Sequence, residues 1–200
     1  MHIEPSNKTI KTQLRKDIRH KRASINEEQR KRWDSEVESH LAEYIRQSKP
    51  SLLAAYMAFD GEPDLTPTLK QLQNQGLPLA LPVVQDAPGK AVITFRLWPQ
   101  NGALQPNRYG ILEPAGTEEV HVTDIDLMLI PLVGWDSGGG RLGMGASFYD
   151  RLLQPFTEHD KPMRMGVAYE LQRVDQIPGD PWDIRLHSML TENGLFTFAN

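Results

Sequence analysis

Ile10, Leu14 and Ile18 recur every four residues within 9–23, and Lys11, Arg15, Lys16, Arg19, Lys21 and Arg22 fill the positions between them. The spacing predicts a helix with a narrow apolar stripe and a cationic remainder. Ser24-Ile25-Asn26-Glu27 then reads as a capping box, the Ser24 hydroxyl accepting from the Glu27 N–H while Glu27 reaches back. It opens a second helix with Trp33, Val37, Leu41 and Tyr44/Ile45 on one face, closed by Lys49-Pro50, because a residue before proline is pushed out of the α region. From Leu52 the period changes. Residues 52–59 are nearly continuously apolar and of strand length, as in a strand covered on both faces. Thr66-Pro67 supplies an N-cap and an N1 proline for a helix to about Gln75, ended by Gly76. Strands are predicted over 77–84, 91–98 (the more alternating one), 126–133 and 163–169, with a short last one at 189–190 and a helix over 147–156. Strands separated by helices imply an α/β fold with a largely parallel sheet. No repeat, low-complexity tract or linker divides the chain.

Composition narrows the chemistry. Of 200 residues 39% are hydrophobic and 24% charged, enough for one core-forming domain. The absence of cysteine excludes disulfides, Cys-ligated zinc, iron–sulfur clusters and thiol catalysis. No apolar run approaches the ~20 residues of a membrane helix. Met1-His2-Ile3-Glu4-Pro5 also lacks the apolar core of a signal peptide, so a cytoplasmic protein without a membrane partner is expected. Charge is unevenly spread: residues 1–50 carry a net +4 and the other 150 a net −8, together the formal −4 of the chain. Glycine is uneven too, with six of the 15 inside residues 134–145.

That glycine segment follows the predicted 126–133 strand and precedes the predicted 147–156 helix. Ligands of open parallel sheets bind beyond the carboxyl ends of the strands. Glycines there let backbone N–H groups converge on an anion, and a following helix N-terminus adds positive potential. Arg141 supplies a fork donor suited to phosphate. The other reading is a tight connection whose glycines serve only positive φ. Gly138-x-Gly140-x-x-Gly143 satisfies the letters of the dinucleotide fingerprint. It falls late in the chain, however, with no second half to hold a nicotinamide. No Gly-Lys-Ser/Thr occurs anywhere, so a Walker-type nucleotide loop is absent.

Pro131-Leu-Val-x-x-Asp136-x-x-Gly-x-Arg141-Leu142-Gly143-Met144-Gly145-x-x-Phe-Tyr149-Asp150-Arg151 resembles the signature of the 5-formyltetrahydrofolate cyclo-ligase family. Weaker landmarks follow the same order: Lys11-x-x-x-Arg15, Met57-Ala-Phe-Asp60-Gly61-Glu62-Pro63-Asp64, Leu81-Pro82-Val83, Tyr109-Gly110-Ile111-x-Glu113-Pro114 and Trp182-Asp183-Ile184. The resemblance implies one domain, 1–200, built as a three-layer α/β sandwich. Its mostly parallel central sheet would be flanked by helices, with an N-terminal helical pair (8–48) packed on that core. It also implies a monomeric enzyme that couples ATP hydrolysis, with Mg2+, to closing 5-formyltetrahydrofolate into 5,10-methenyltetrahydrofolate. In such a reaction the protein mainly positions the reactants and neutralises charge.

By the same resemblance Lys11, Arg15, Gly140, Arg141, Leu142, Gly143, Met144 and Gly145 hold ATP, with Arg141 and Tyr149 at the chemistry. Met57, Glu62 and Tyr149 contact the folate, and Asp150 and Asp183 are the magnesium ligands. Lys11 and Arg15, four apart, share a helical face independently of any family, although a solvated basic face has the same pattern. Lys16, Arg19, Lys21 and Arg22 read as solvated or accessory, and Phe59, Trp98 and Trp135 as core or pocket walls. Three departures stand out. Many relatives carry Gly-Gly-Gly-Tyr-Tyr where this chain has Gly145-Ala146-Ser147-Phe148-Tyr149, with Ser147 able to cap the next helix. His187 occupies the place of a second C-terminal acid in some relatives and is given no metal role. The Gly138-Gly139-Gly140 triplet loosens the loop. The competing readings are a sugar-phosphate isomerase or acyl-transferase-like enzyme, which leaves Lys11, Arg15 and Asp183 idle, and a non-catalytic folate-binding module. Nucleic-acid binding is disfavoured by the negative net charge and by a basic stretch without interleaved aromatics.

Overall fold

A computed structural model describes residues 6–156 and 161–198; Met1, His2, Ile3, Glu4 and Pro5, read above for a leader, lie outside them. The chain opens with α1 (Asn7–Ala23) and α2 (Glu27–Ser48). Ser24 ends α1 rather than opening α2, its hydroxyl donating to the Lys21 carbonyl at 2.7 Å. The N-cap is Asn26, whose Oδ1 accepts from the Gln29 N–H at 2.8 Å, three residues on, as capping geometry requires. Lys49 terminates α2 in the left-handed region at φ 47°, just before Pro50.

The central sheet comprises β1 (Leu53–Ala54), β2 (Leu79–Ala87), β3 (Lys90–Leu97), β6 (Glu119–Val120), β7 (Leu127–Pro131), β10 (Met163–Val167), β11 (Ser188–Thr191) and β12 (Gly194–Thr197). They lie in the order β12-β11-β10-β7-β1-β2-β3-β6. The five strands from β11 to β2 are parallel, and β12, β3 and β6 extend the edges antiparallel. Two small ribbons, β4 (Leu104–Pro106) with β5 (Leu112–Pro114) and β8 (Gly134–Trp135) with β9 (Arg141–Leu142), stand outside it. The apolar run at 52–59 yields only a two-residue strand. Ala55 still donates to the Ala80 carbonyl and Tyr56 is still buried, but the backbone then leaves the ladder toward Asp60 and Gly61. Apolar composition reports burial, and pairing ends where neighbouring strands diverge.

Alternate side chains divide the core by face. Leu53, Leu79, Leu81, Leu127, Leu129 and Val167 pack with α2 and with α3 (Thr66–Asn74). Ala54, Ala80, Met128, Ile130 and Met189 pack on the other side with Leu153 of α4 (Phe148–Leu153). Each fully buried Leu or Ile contributes about 1.5–3 kcal/mol, so the two faces together supply the main stabilisation of the three layers. Thr66 is the first helical residue of α3 rather than its cap; the cap is Leu65, without a side-chain bond, and Asp64 Oδ1 accepts from the Thr66 N–H at 2.9 Å. The N-terminal pair splits. While α2 lies on the sheet face, Ile18 and Leu14 of α1 pack on Val133, Leu142 and Ile177, over the ends of the strands.

The crossover from β1 through α3 runs to β2 on one side, and the crossover from β7 through α4 runs to β10 on the other. Beyond the carboxyl ends of adjacent β1 and β7 lies the switch point where open α/β sheets hold ligands. The glycine segment leaves β7 there and the 59–62 turn leaves β1. Helix α1 lies across this end of the sheet.

Candidate active site

The first half of the glycine segment is closed on itself. Asp136 is buried, and its Oδ1 accepts from the N–H groups of Gly138 and Gly140, both at 2.9 Å, while Oδ2 accepts from Ile177 at 2.9 Å. A methyl group on Gly140 would lie 2.5 Å from Asp136 Oδ2, so glycine is needed for this close approach. The expectation that these glycines present their N–H groups to an outside anion is corrected here: at 138 and 140 the anion is Asp136. The triplet is therefore pinned.

The second half differs. Gly143, Met144, Gly145 and Ala146 are exposed, and the N–H groups of Met144, Gly145 and Ala146 have no hydrogen bond among the described residues. Arg15 Nε donates to the Gly143 carbonyl at 2.8 Å, tying α1 to this stretch. Gly145 is at φ +106° with the Arg15 guanidinium over it. Ser147 is left-handed at φ 49° and makes no side-chain cap, contrary to expectation. Instead Arg151 Nη1 donates to the Ala146 carbonyl at 2.7 Å.

Arg141 does not reach outward as a phosphate fork. Its Nη2 donates to Asp150 Oδ1 at 2.6 Å and its Nη1 to the Ile184 carbonyl, with the side chain only 6% exposed. The guanidinium locks β9, α4 and the 184 segment together. Asp150 Oδ1 also accepts from the Ile184 N–H at 3.2 Å, and its other oxygen has no donor among the described residues. Asp183 is similar: Oδ2 accepts from Lys11 Nζ at 2.6 Å and from the Asp180 N–H at 2.9 Å, and its second oxygen has no partner among the described residues. Lys11 also reaches Asp180 at 2.6 Å. Burial pulls its ammonium pKa down, but the hydrogen bonds and charges of Asp180 and Asp183 reverse this and leave it above its ordinary value.

No group of three or more His, Asp or Glu side chains that could hold a metal forms among the described residues. The site is thus no all-protein metal cage. Two carboxylates on neighbouring segments, each with a spare oxygen, nevertheless fit Mg2+, which binds through one or two carboxylates and completes its shell with water and phosphate.

Glu62 is 8% exposed and closes the 59–62 turn: its Oε2 accepts from the Phe59 N–H and its own N–H donates to the Phe59 carbonyl, both at 3.1 Å. Burial pushes its carboxyl up to about 7, against the pull of the Phe59 N–H and of Arg22, with Asp60 adding to the rise. Burial also raises the Tyr149 hydroxyl. The charge of Glu62 raises it further and Arg141 opposes, so these three side chains share one electrostatic neighbourhood. Met57 is half-buried against the core. Trp98 and Trp135 are core, whereas Phe59 is 40% exposed at the turn.

Arg22 is not solvated, being 1% exposed, whereas Arg19 is exposed as expected; both bond Asp60. His187 packs on Arg164, its Nδ1 accepting from the Arg164 N–H at 3.0 Å. The sequence reading missed Asp136, Asp180 and Arg22. A signal for the arginines was there, since Arg15, Arg19 and Arg22 fall at i, i+4 and i+7 on one helical face.

The model of the 5-formyltetrahydrofolate cyclo-ligase family matches residues 7–192. The chain belongs to the 5-formyltetrahydrofolate cyclo-ligase family, a family of enzymes. It is 31% identical to 5-formyltetrahydrofolate cyclo-ligase of Haemophilus influenzae over 180 residues, covering 89% of this chain and 95% of that one. To the enzyme of Escherichia coli K12 it is 32% identical over 176 residues, covering 87% and 96%. Among solved structures, the 5,10-methenyltetrahydrofolate synthetase of Aquifex aeolicus superposes with a TM-score of 0.83 at 33% identity, covering 96% of this chain and 94% of the other. The expected mostly parallel α/β architecture of a cyclo-ligase stands. No helix among the described residues is long and apolar enough to cross a membrane.

Proposed function

We propose that this protein converts 5-formyltetrahydrofolate to 5,10-methenyltetrahydrofolate with consumption of ATP and release of ADP and phosphate. The observation that carries this reading is the docking of α1 on the carboxyl ends of β1 and β7. Arg15 is bonded to the Gly143 carbonyl and Lys11 to Asp183, beside a stretch whose Met144, Gly145 and Ala146 N–H groups are unspent. Two cations and three free donors on one rim suit a triphosphate.

The formyl oxygen attacks the γ-phosphorus and ADP leaves; N10 then attacks the activated formyl carbon and loses its proton, and phosphate departs with the formyl oxygen. The chain's task is positional. Lys11, Arg15 and the N–H groups of Met144, Gly145 and Ala146 hold ATP, while Gly140, Arg141 and Leu142 keep that stretch in place from behind. Glu62, Met57 and Tyr149 hold the folate, with ionised Glu62 accepting from the pterin amino and ring N–H groups. Arg141 acts through Asp150 and the Ile184 carbonyl, fixing the groups around the reacting phosphoryl rather than gripping it. Asp150 and Asp183 would hold Mg2+, which neutralises charge on the phosphates when bound. A monomer in the cytoplasm, with only small-molecule partners, fits this chemistry.

The test is incubation of the protein with 5-formyltetrahydrofolate and MgATP, following the near-ultraviolet absorbance of the methenyl product and the release of ADP. Stoichiometric appearance of both is expected. Folded protein that yields neither, or that hydrolyses ATP without methenyl product, overturns the proposal. Tight folate binding without turnover would favour the non-catalytic folate-binding reading.

A further inference from the structure

Three arginines from the helical pair converge on the two residues before Glu62. Asp60 and Gly61 are consecutive left-handed residues, at φ 53° and 76°. Arg22 Nη2 and Arg19 Nε donate to Asp60 Oδ2 at 2.7 and 2.8 Å, and Arg19 Nη2 donates to Asp60 Oδ1 at 3.1 Å. Arg30 Nη1 donates to the Gly61 carbonyl at 2.7 Å, and its Nη2 reaches back to the Arg22 carbonyl at 3.1 Å. The Arg30 guanidinium fills the space beside Gly61, so that a methyl group there would lie 3.0 Å from Nη1. The second arm of Arg22 leaves the turn altogether: Nη1 donates to the Leu132 carbonyl at 3.3 Å, one residue past β7.

We infer that Arg22 and Arg30 are positioning residues for Glu62, clamping the 60–62 turn to the first residue beyond β7 and so fixing the folate side of the site relative to the glycine segment. A purely structural anchor for α1 would not need these contacts, because Ile18 and Leu14 already bury its apolar stripe. A buried guanidinium is costly to hold. Arg22 places its Nη1 and Nη2 donors on two separate loops of one cleft, while its Nε has no partner among the described residues. The planar fork of arginine spans two acceptors where an ammonium would serve as a point charge. The inference rests on the reading above that Glu62 contacts the folate.

The test measures KM for 5-formyltetrahydrofolate and for ATP separately in Arg30→Met, Arg30→Lys and Arg22→Lys, each alone and combined with Glu62→Gln, with thermal melting as the control for folding. Arg30→Met is expected to raise the folate KM about tenfold while the ATP KM stays within about twofold, and Arg30→Lys to recover part of the loss. In the Glu62→Gln background the same substitution should add nothing further, because the residue it positions is already disabled. Equal increases in both KM values, or effects that multiply independently with Glu62→Gln, overturn the inference. Should Arg30→Met fail to fold, Arg22→Lys and Asp60→Asn are judged by the same criteria. A Glu62→Gln variant with unchanged folate KM refutes the folate role of Glu62 itself, and the positioning role falls with it. That outcome is distinct from one in which Glu62 matters and the arginines do not.

Discussion

Two turns leave the carboxyl ends of adjacent strands, and they are held in opposite ways. The 136–140 turn after β7 is held from within, by one carboxylate that collects the N–H groups of Gly138 and Gly140. The 60–62 turn after β1 is held from outside, by arginines of α1 and α2. The first turn draws its closure from its own carboxylate, with the Ile177 and Leu186 N–H groups adding bonds from beyond it. The second has its own Glu62–Phe59 bonds, but its place in the cleft is set by arginines 31 and 38 residues away in sequence, and so by the docking of the helical pair. The difference assigns the glycine turn to the scaffold and makes the Glu62 turn the element that reports on α1.

The largest expected effect breaks the Asp136 turn. Asp136→Ala strands three backbone donors, Ile177 among them, and should destabilise the protein by about 3 kcal/mol, read from the urea midpoint. A loss below about 1 kcal/mol would mean that the turn does not depend on its carboxylate.

The outer turn carries a pH signature. Folded Glu62 keeps its proton to about pH 7, whereas the unfolded side chain releases it near 4.5. Between those values the folded state binds more protons, so this group's contribution is fully present below about pH 4.5 and is lost as pH rises toward 7. Glu62→Gln should therefore stabilise the protein at pH 8 by roughly 2–3 kcal/mol, with the gain vanishing near pH 4.5, while weakening folate binding. Melting temperatures at the two pH values decide it, and a pH-independent difference would contradict the buried, raised carboxyl.

Gly140→Ala comes next: its methyl group would sit 2.5 Å from Asp136 Oδ2, and the turn should lose about 1–3 kcal/mol by denaturant titration. The smallest effect is expected at Met144, which is 45% exposed. Met144→Ala should change stability by no more than about 0.5 kcal/mol. It should also leave the ATP KM within about twofold, because the backbone N–H remains. A large rise in that KM would show that the side chain, and not the backbone, does the binding there.

Local patterns were legible where one physical cause dominates. The four-residue stripe of α1, the buried run of β7 and the glycine cluster after it were all readable, because periodicity and composition report burial and backbone freedom directly. Cap assignment at Ser24 failed because two cap-forming residues stood two apart, and the side-chain geometry of Asn26 decided between them. The 52–59 run was read as one strand because apolar residues also line a departing loop. The ribbons β4–β5 and β8–β9 and the edge strands β6 and β12 were missed, being two to four residues long with little pattern to read.

The site divides along the same line. That Lys11 and Arg15 share a helical face followed from their spacing, but the engagement of Arg141 with Asp150 did not. Nor did the capture of the Gly138 and Gly140 N–H groups by Asp136, although Asp136 stood inside the motif. Sequence by itself determined that a basic helix, a buried parallel sheet and a glycine segment would coexist, and which residue types could serve phosphate, folate and Mg2+. Only the tertiary structure decided which partner each charged group takes. Arg15 meets Gly143 across 128 positions and Lys11 meets Asp183 across 172. Hydrogen bonds and ion pairs act over a few ångströms in space, and nothing in linear spacing encodes that distance.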